Sequence, residues 1–350
     1  MTNSDIAQLR LYNQHVSHQI FKKPAEIVKR LGAVQAQDYA AAKWALGLRL
    51  QNSSDAAIDK AMANGAIIRT HVLRPTWHFV SPTDTRWMIE LTAPRINAFN
   101  ASMYRQLQLD NVVFKRSNDA LAKALEGGKQ LNRADIKAAL QQAGVLTDDL
   151  RFIHLLMRAE LDKVICSGGR QGKQFTYALF DDRVPMSSPL AHEEALSKLA
   201  ERYFISRGPA TLQDFTWWSG LTTTDARTGL ETVKSGLTKM VAEGKEYWMG
   251  QEEPAITGKS AGTYLLPTFD EFAVAYKDRA AMVDPRYLKQ AKQVIFAPAI
   301  LVNNQVVGTW KRELSKKTVD ITLNPFGKFS KKHTKAIETV VKRYRKFIKG

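Results

Sequence analysis

Apolar residues along this chain recur at helical intervals in short blocks, and each group of blocks gives way to a stretch rich in β-branched and aromatic residues around a polar turn. The spacing predicts a first helix from about Ser4 to His15 and a second that starts at Pro24 and ends near Gly32. Proline suits the first helical position because it has no N–H to leave unpaired. A third helix spans Tyr39 to about Leu48 behind Asp38, a residue suited to N-capping, and a fourth spans Asp55 to Ala63. The segment IIRTHVLRPTWHFV (67–80) then has the composition of a hairpin.

The plan repeats twice. NDALAKALEGG (118–128), NRADIKAALQQAG (132–144) and DDLRFIHLLMRAELDKV (148–164) predict three helices, followed by strand, Gly-rich loop and strand in ICSGGRQGKQFTYALF (165–180). The third copy has helices at 192–208, 211–220 and 223–236 and a candidate hairpin at 237–250. Helix, helix, helix and two-stranded wing is the order of a winged helix-turn-helix, so the expected fold is α+β, mostly helical, with these motifs in tandem. The expected divisions are 1–110, 111–187, 188–262 and 263–350. In the last of these, residues 292–326 alternate apolar and polar positions and turn at Asn303–Asn304, which predicts a β-rich unit. A C-terminal helix closes the chain, with Ile337, Val340, Val341, Tyr344, Phe347 and Ile348 threaded through its charges.

Composition narrows the function. The chain has 350 residues, 44% of them hydrophobic and 24% charged, as in an ordinary globular protein of several folded units. Its single cysteine, Cys166, rules out an internal disulfide and thiolate zinc sites. The seven histidines (His15, His18, His71, His78, His154, His192 and His333) contain no HExxH pair, so no metal is expected. The loop GGRQGK (168–173) lacks Walker spacing and a following helix, so no nucleotide cofactor is implied. Neither a signal peptide nor an apolar run of about 18 residues is visible, which places the expected protein in the cytoplasm. The formal net charge is +17, and residues 311–350 alone hold 13 basic and 3 acidic side chains, a net of +10. Such a concentration reads either as a solvated tail or as a polyanion-binding surface. The apolar residues at helical spacing favour a packed helix with a basic outer face, and DNA as the partner.

Six segments carry a family likeness. LGAVQAQDY (31–39), RTHVLRPTWHFV (69–80), LTAPRI (91–96), GPATLQDFTWWSGLT (208–222), LLPTFDEFAVAYKDR (265–279) and VVGTWKREL (306–314) resemble, in order, the winged-helix DNA-binding family that contains the AlkZ and YcaQ interstrand-crosslink DNA glycosylases. The resemblance implies tandem winged helices in a C-shaped arrangement with a small β-barrel element, gripping duplex DNA as a monomer. It also implies catalysis by a Gln-apolar-Gln motif, which here is Gln35-Ala36-Gln37.

Side chains at i and i+2 point the same way on an extended backbone but about 200° apart on a helix. Shared work by Gln35 and Gln37 therefore requires non-helical backbone, with Ala36 facing the protein, and the flanking Gly32 and Asp38 are suited to end one helix and begin the next. Two neutral amides can orient a water at C1′ but cannot take its proton, which fits a substrate whose base already carries positive charge, such as an N7-alkylated purine. The same glutamines also read as polar residues of a helix–helix connection. Asp38 is a cap first and a carboxylate second. Further DNA contacts are expected from Lys43, from Arg69, His71, Arg74 and His78 on the first hairpin, and from Lys311 and Arg312 after the strand 306–310. Alternation within a hairpin would turn some of these inward. Trp44, Trp77, Trp217 and Trp218 read as packing residues, and Asp270, Glu271, Asp278 and Arg279 as an internal ion-pair network rather than a metal site. The competing function is a non-catalytic DNA-binding protein, a transcriptional regulator or a lesion binder.

Overall fold

Local capping sets the frame of the N-terminal region in the computed structural model, which describes residues 2–251, 262–294, 296–315 and 318–350. Helix α1 (Asn3–Asn13) begins with a capping box between Thr2 and Asp5. Helix α2 (Pro24–Leu31) begins at its proline and ends at Gly32, whose φ of 76° is open to glycine at little cost. Strand β1 (Ala33–Gln35) follows at once, and Asp38 then caps helix α3 (Tyr39–Leu48) by accepting the Ala41 N–H. Helix α4 (Asp55–Ala63) leads to the hairpin β2 (Ile68–Val72) and β3 (Arg74–Val80), which turns at Leu73 with a φ of 66°. Helix α5 (Pro82–Gln106) has no counterpart in the sequence pattern described above. It runs for 25 residues and continues through Pro94.

The second stretch matches its expected order closely. Helix α6 (Asn111–Leu125) starts earlier than the apolar spacing indicates, because Asp110 caps it. Strand β4 (Leu131–Asn132), helix α7 (Arg133–Gln142), helix α8 (Asp149–Leu161) and the hairpin β5 (Ile165–Gln171) and β6 (Gln174–Leu179) complete it. The three strands pair in the order β4-β6-β5. Their core is built from Phe114, Leu121, Leu125, Ile136, Leu140, Phe152, Leu155 and Ile165, all buried. The expected Gly-rich loop is mostly strand. Gly168 and Gly169 sit inside β5 at a bulge where Gln130 approaches the backbone and accepts the Gly169 N–H at 2.6 Å, which leaves no room for a side chain at Gly168.

In the third stretch, helices α9 (His192–Arg207), α10 (Leu212–Ser219) and α11 (Thr223–Val233) precede the hairpin β7 (Leu237–Ala242) and β8 (Lys245–Gly250), paired in regular register. The end of the expected third division, residues 252–261, lies outside the described residues. The C-terminal part contains β9 (Thr263–Leu266), α12 (Glu271–Val274), α13 (Leu288–Gln293), β10 (Ala299–Val302), β11 (Gln305–Leu314), β12 (Val319–Pro325) and α14 (Lys331–Lys349). Asn303 and Asn304 both take positive φ, 52° and 66°, as a two-residue hairpin turn requires.

The C-terminal strands correct one expectation. They form an open four-stranded antiparallel sheet in the order β12-β11-β10-β9, and no closed barrel appears among the described residues. Helix α14 packs against β9 and β12, so the sheet's apolar side chains are covered by a helix and need no closure. Ile337, Val341, Tyr344 and Phe347 are its buried face. Tyr344 meets the rings of Trp310 and Trp44 edge-on, at 5.0 Å in each case.

The chain packs as two compact units. One comprises the chain up to Ile58 with Ser197–Trp218 and Thr222–Gly350; the other comprises Asp59–Leu196 with Ser219–Leu221. In the first unit His15 is buried in a left-handed backbone conformation, φ 59°, with Nδ1 3.1 Å from the His18 carbonyl. Burial above all, with the charge of Arg30 acting in the same direction, pulls its pKa down from 6.5 to about 4. The folded state therefore holds this ring neutral, and the associated stability is complete above about pH 6.5 and is lost as pH falls toward 4. Asparagine tolerates the same backbone conformation, so thermal melts of His15→Asn are expected to show a shallower acid decline across this window. The difference from wild type should reach no more than about 3 kcal/mol.

Candidate active site

The segment between α2 and α3 is non-helical, with β1 running through Gln35 and a bend at Gln37 and Asp38, as joint action by the two glutamines requires. Ala36 is fully buried, Gln35 is half-buried and Gln37 is exposed, so the apolar spacer faces the protein while the amides on either side reach outward. Asp38 serves as the α3 cap, its Oδ1 accepting the Ala41 N–H at 3.0 Å.

A buried framework holds this segment. The Arg207 guanidinium, fully buried, donates to the carbonyls of Leu31 at 2.5 Å and Ala33 at 2.7 Å. Its Nε and Nη2 also reach Glu271 Oε2, at 3.0 and 2.7 Å. The other oxygen, Glu271 Oε1, accepts the backbone N–H of Gln35 at 2.8 Å. Trp218 Nε1 donates to Glu271 Oε2 at 3.2 Å, and the Arg207 guanidinium lies 4.4 Å from the centroid of that indole. With four donors around it, Glu271 is a structural anion and not a proton acceptor for a substrate water.

The neighbouring carboxylate, Asp270, receives both Nη atoms of Arg49 at 2.8 Å and caps α12 by accepting the Phe272 N–H. Burial works against the Arg49 charge, but Asp270 outweighs it and the guanidinium's pKa is raised. Arg49 also donates to Gln14 Oε1, whose amide donates to the Tyr276 hydroxyl, which in turn donates to the Arg207 carbonyl. Just before the two carboxylates, Phe269 is held at a φ of 55°, a strained conformation for a bulky residue that aims Asp270 and Glu271 into the core. Of the internal network expected from Asp270, Glu271, Asp278 and Arg279, the first two form buried ion pairs, whereas Asp278 pairs with Lys245 nearer the surface and Arg279 donates to the Ala273 carbonyl. The contact of Glu271 with Gln35 is 236 positions away in the chain, and no local pattern signals it.

Four of the expected DNA contacts are directed inward. Lys43 is buried against α4, with Nζ 2.5 Å from Asp55 and 5.2 Å from the centroid of the Tyr39 ring. Strand β2 is buried along its whole length, because it packs against α5, α8 and β5 and so has no solvent face. The Arg69 guanidinium lies between the rings of Trp77, at 4.3 Å, and Phe175, at 4.8 Å. Glu160, itself buried, accepts the His71 N–H at 2.9 Å, lies 2.6 Å from His71 Nδ1, and accepts from Thr70 and Trp77 at 3.4 Å. His78 is fully buried, with Nδ1 2.9 Å from the Thr76 carbonyl. Arg74 is half-buried at the start of β3.

On the C-terminal sheet Lys311 is exposed, and Arg312 is half-buried and donates to the Tyr344 hydroxyl at 2.5 Å. Helix α14 adds a run of exposed cations, at Lys331, Lys332, Lys335, Lys342, Arg345, Lys346 and Lys349. The net charge of the last forty residues signalled this face, although no single residue in it was distinguishable from the others.

Trp44 and Trp218 are buried as expected, and Trp217, 40% exposed, donates its Nε1 to the Val274 carbonyl. Burial pushes the Cys166 thiol up to about 12, so it is no nucleophile. Among the described residues no group of three or more His, Cys, Asp or Glu is placed to hold a metal ion, and no helix is long and apolar enough to cross a membrane.

Fold and site define the class. The family model for AlkZ-like DNA glycosylases matches residues 28–347, and the chain belongs to that family. It is 24% identical over 358 residues to the interstrand DNA cross-link repair glycosylase of Streptomyces sahachiroi, a match covering 94% of this chain and 92% of that protein. The solved structure of the Streptomyces sahachiroi DNA glycosylase AlkZ shares the fold with a TM-score of 0.82 at 20% identity, over 99% of this chain and 96% of that one.

The framework carries a stability prediction. Asp270→Ala leaves Arg49 buried without its counter-ion and is expected to lower the unfolding free energy by about 3–5 kcal/mol. Lys311→Ala, at an exposed site, should stay within about 0.5 kcal/mol of wild type. Chemical denaturation followed by far-UV circular dichroism measures both.

Proposed function

We propose that this protein is a monofunctional DNA glycosylase that hydrolyses the N-glycosidic bond of N7-alkylated purines or of related interstrand crosslinks, with a water held by Gln35 and Gln37. The observation that carries the reading is the non-helical Gln35-Ala36-Gln37 segment with its spacer buried and its glutamines more exposed on either side. The relative from Streptomyces sahachiroi, named for crosslink repair, supplies the substrate class.

The chemistry suits neutral side chains. An N7-alkylated purine is already cationic, so the C1′–N9 electron pair departs onto the base and the base leaves neutral. The remaining sugar is an oxocarbenium ion, and a water oriented by amide oxygens adds to C1′ and then loses its proton to solvent. Such a site gives negligible turnover of intact nucleotides, whose bases are poor leaving groups. Lyase chemistry needs a free amine as nucleophile, and the Lys43 ammonium is occupied by Asp55.

We read the three helix–hairpin stretches as winged helix-turn-helix units of a monomer that acts on duplex DNA in the cytoplasm, with the four divisions at 110, 187 and 262. The sheet order β4-β6-β5 behind α6 to α8 supports this for the second stretch. Phosphate contacts fall to Arg74, Lys311 and Arg312 together with the exposed face of α14.

Incubation with a duplex containing N7-methylguanine, followed by alkali, should give strand scission with wild type. Gln35→Ala and Gln37→Ala should each lose roughly 100-fold in single-turnover rate. Equal inactivity of all three, together with a sharp sequence-specific footprint, would identify a regulator instead. Duplex affinity measured against salt should fall with a log–log slope of about −5 if some six phosphates are neutralised. A flat response would remove the electrostatic part of the reading.

A further inference from the structure

The Asp270–Glu271 pair in LLPTFDEFAVAYKDR is part of the family likeness, yet the proposed reaction gives it no task. Ala33 and Gln35 lie on one edge of β1, and there, together with the last carbonyl of α2 at Leu31, their backbone groups meet a single ion pair. Arg207 supplies donors to the carbonyls of Leu31 and Ala33, and Glu271 supplies an acceptor to the N–H of Gln35. These are the hydrogen bonds a neighbouring strand would make, here provided by two side chains joined to each other by two further bonds to Glu271 Oε2.

The geometry points to Arg207 and Glu271 as positioning residues that hold one edge of β1 as a neighbouring strand would and tie it to the end of α2, fixing the register of residues 33–35 so that Gln35 and Gln37, and not Ala36, face the substrate. The inference rests on the glutamine reading above. A slip of one residue in an extended segment exchanges its two faces. Here that would bury the amides and present a methyl group. Neither residue touches the substrate in this scheme, because Glu271 is saturated by Gln35, Arg207 and Trp218. Both are fully buried, so the pair is also shielded from the competing hydrogen bonds of water that would loosen the register.

Glu271→Asp keeps the charge that neutralises Arg207 but withdraws the carboxylate from Gln35 by one methylene. The full-length protein is assayed on a duplex with one N7-methylguanine, for single-turnover excision and for duplex Kd, in wild-type and Gln35→Ala backgrounds. The expected result is a loss of at least 10-fold in excision by Glu271→Asp with Kd within 2-fold, and a smaller further loss when Gln35 is already alanine and only Gln37 is left to be misplaced. Hydrogen exchange of the Gln35 amide should rise at least 10-fold in Glu271→Asp. Equal fold-losses in both backgrounds, or an unchanged Gln35 amide, would overturn the inference. Should Glu271→Asp not fold, Arg207→Lys, which keeps the charge but cannot reach both carbonyls, is carried through the same cycle with the same outcomes decisive. Wild-type excision rates in Gln35→Ala would instead overturn the glutamine reading, and that parent variant reports its failure separately.

Discussion

Two adjacent carboxylates with nowhere to go but inward organise the first unit of this protein. Asp270 and Glu271 are both buried, and each is neutralised by a buried arginine that also satisfies backbone carbonyls: Arg49 at Ala45, Arg207 at Leu31 and Ala33. A buried ion pair adds little net stability over an apolar replacement of the same shape, yet leaving one partner alone is costly. Segments far apart in the chain, α2, α3, α9 and the turn before α12, can satisfy these four charges together in one geometry.

The charges near Gln35 are consumed in holding its backbone, and what reaches outward is a half-buried amide and an exposed one. In the proposed reading these neutral amides orient a water without shifting protons, which would restrict the chemistry to bonds already weakened by the substrate.

Membership of the AlkZ-like family and a fold match at 20% identity show how much substitution this fold tolerates. Helical faces accept any apolar residue of suitable volume. A buried carboxylate–guanidinium pair has few substitutes, because charge, length and hydrogen-bond geometry must be preserved together.

Capping and periodicity are local, and they were legible. Pro24, Gly32 and Asp38 mark the ends of α2 and the start of α3 in the sequence, and the hairpins at 165–180 and 237–250 lie where the composition places them. The extended backbone around Gln35 follows from the same signals, since a helix that ends at Gly32 and another that begins after Asp38 leave no room for a helical turn between them. Exposure of the first hairpin was not legible. Alternation on β2 suggests that some of its cations and histidines reach solvent, but whether a strand has one covered face or two depends on α5, α8 and β5 packing against it. Likewise Lys43 looks free in sequence until α4 brings Asp55 to it. Secondary structure is written in neighbours a few residues apart, whereas burial and ion pairing join residues tens to hundreds of positions apart, and only the tertiary fold decides which of them meet.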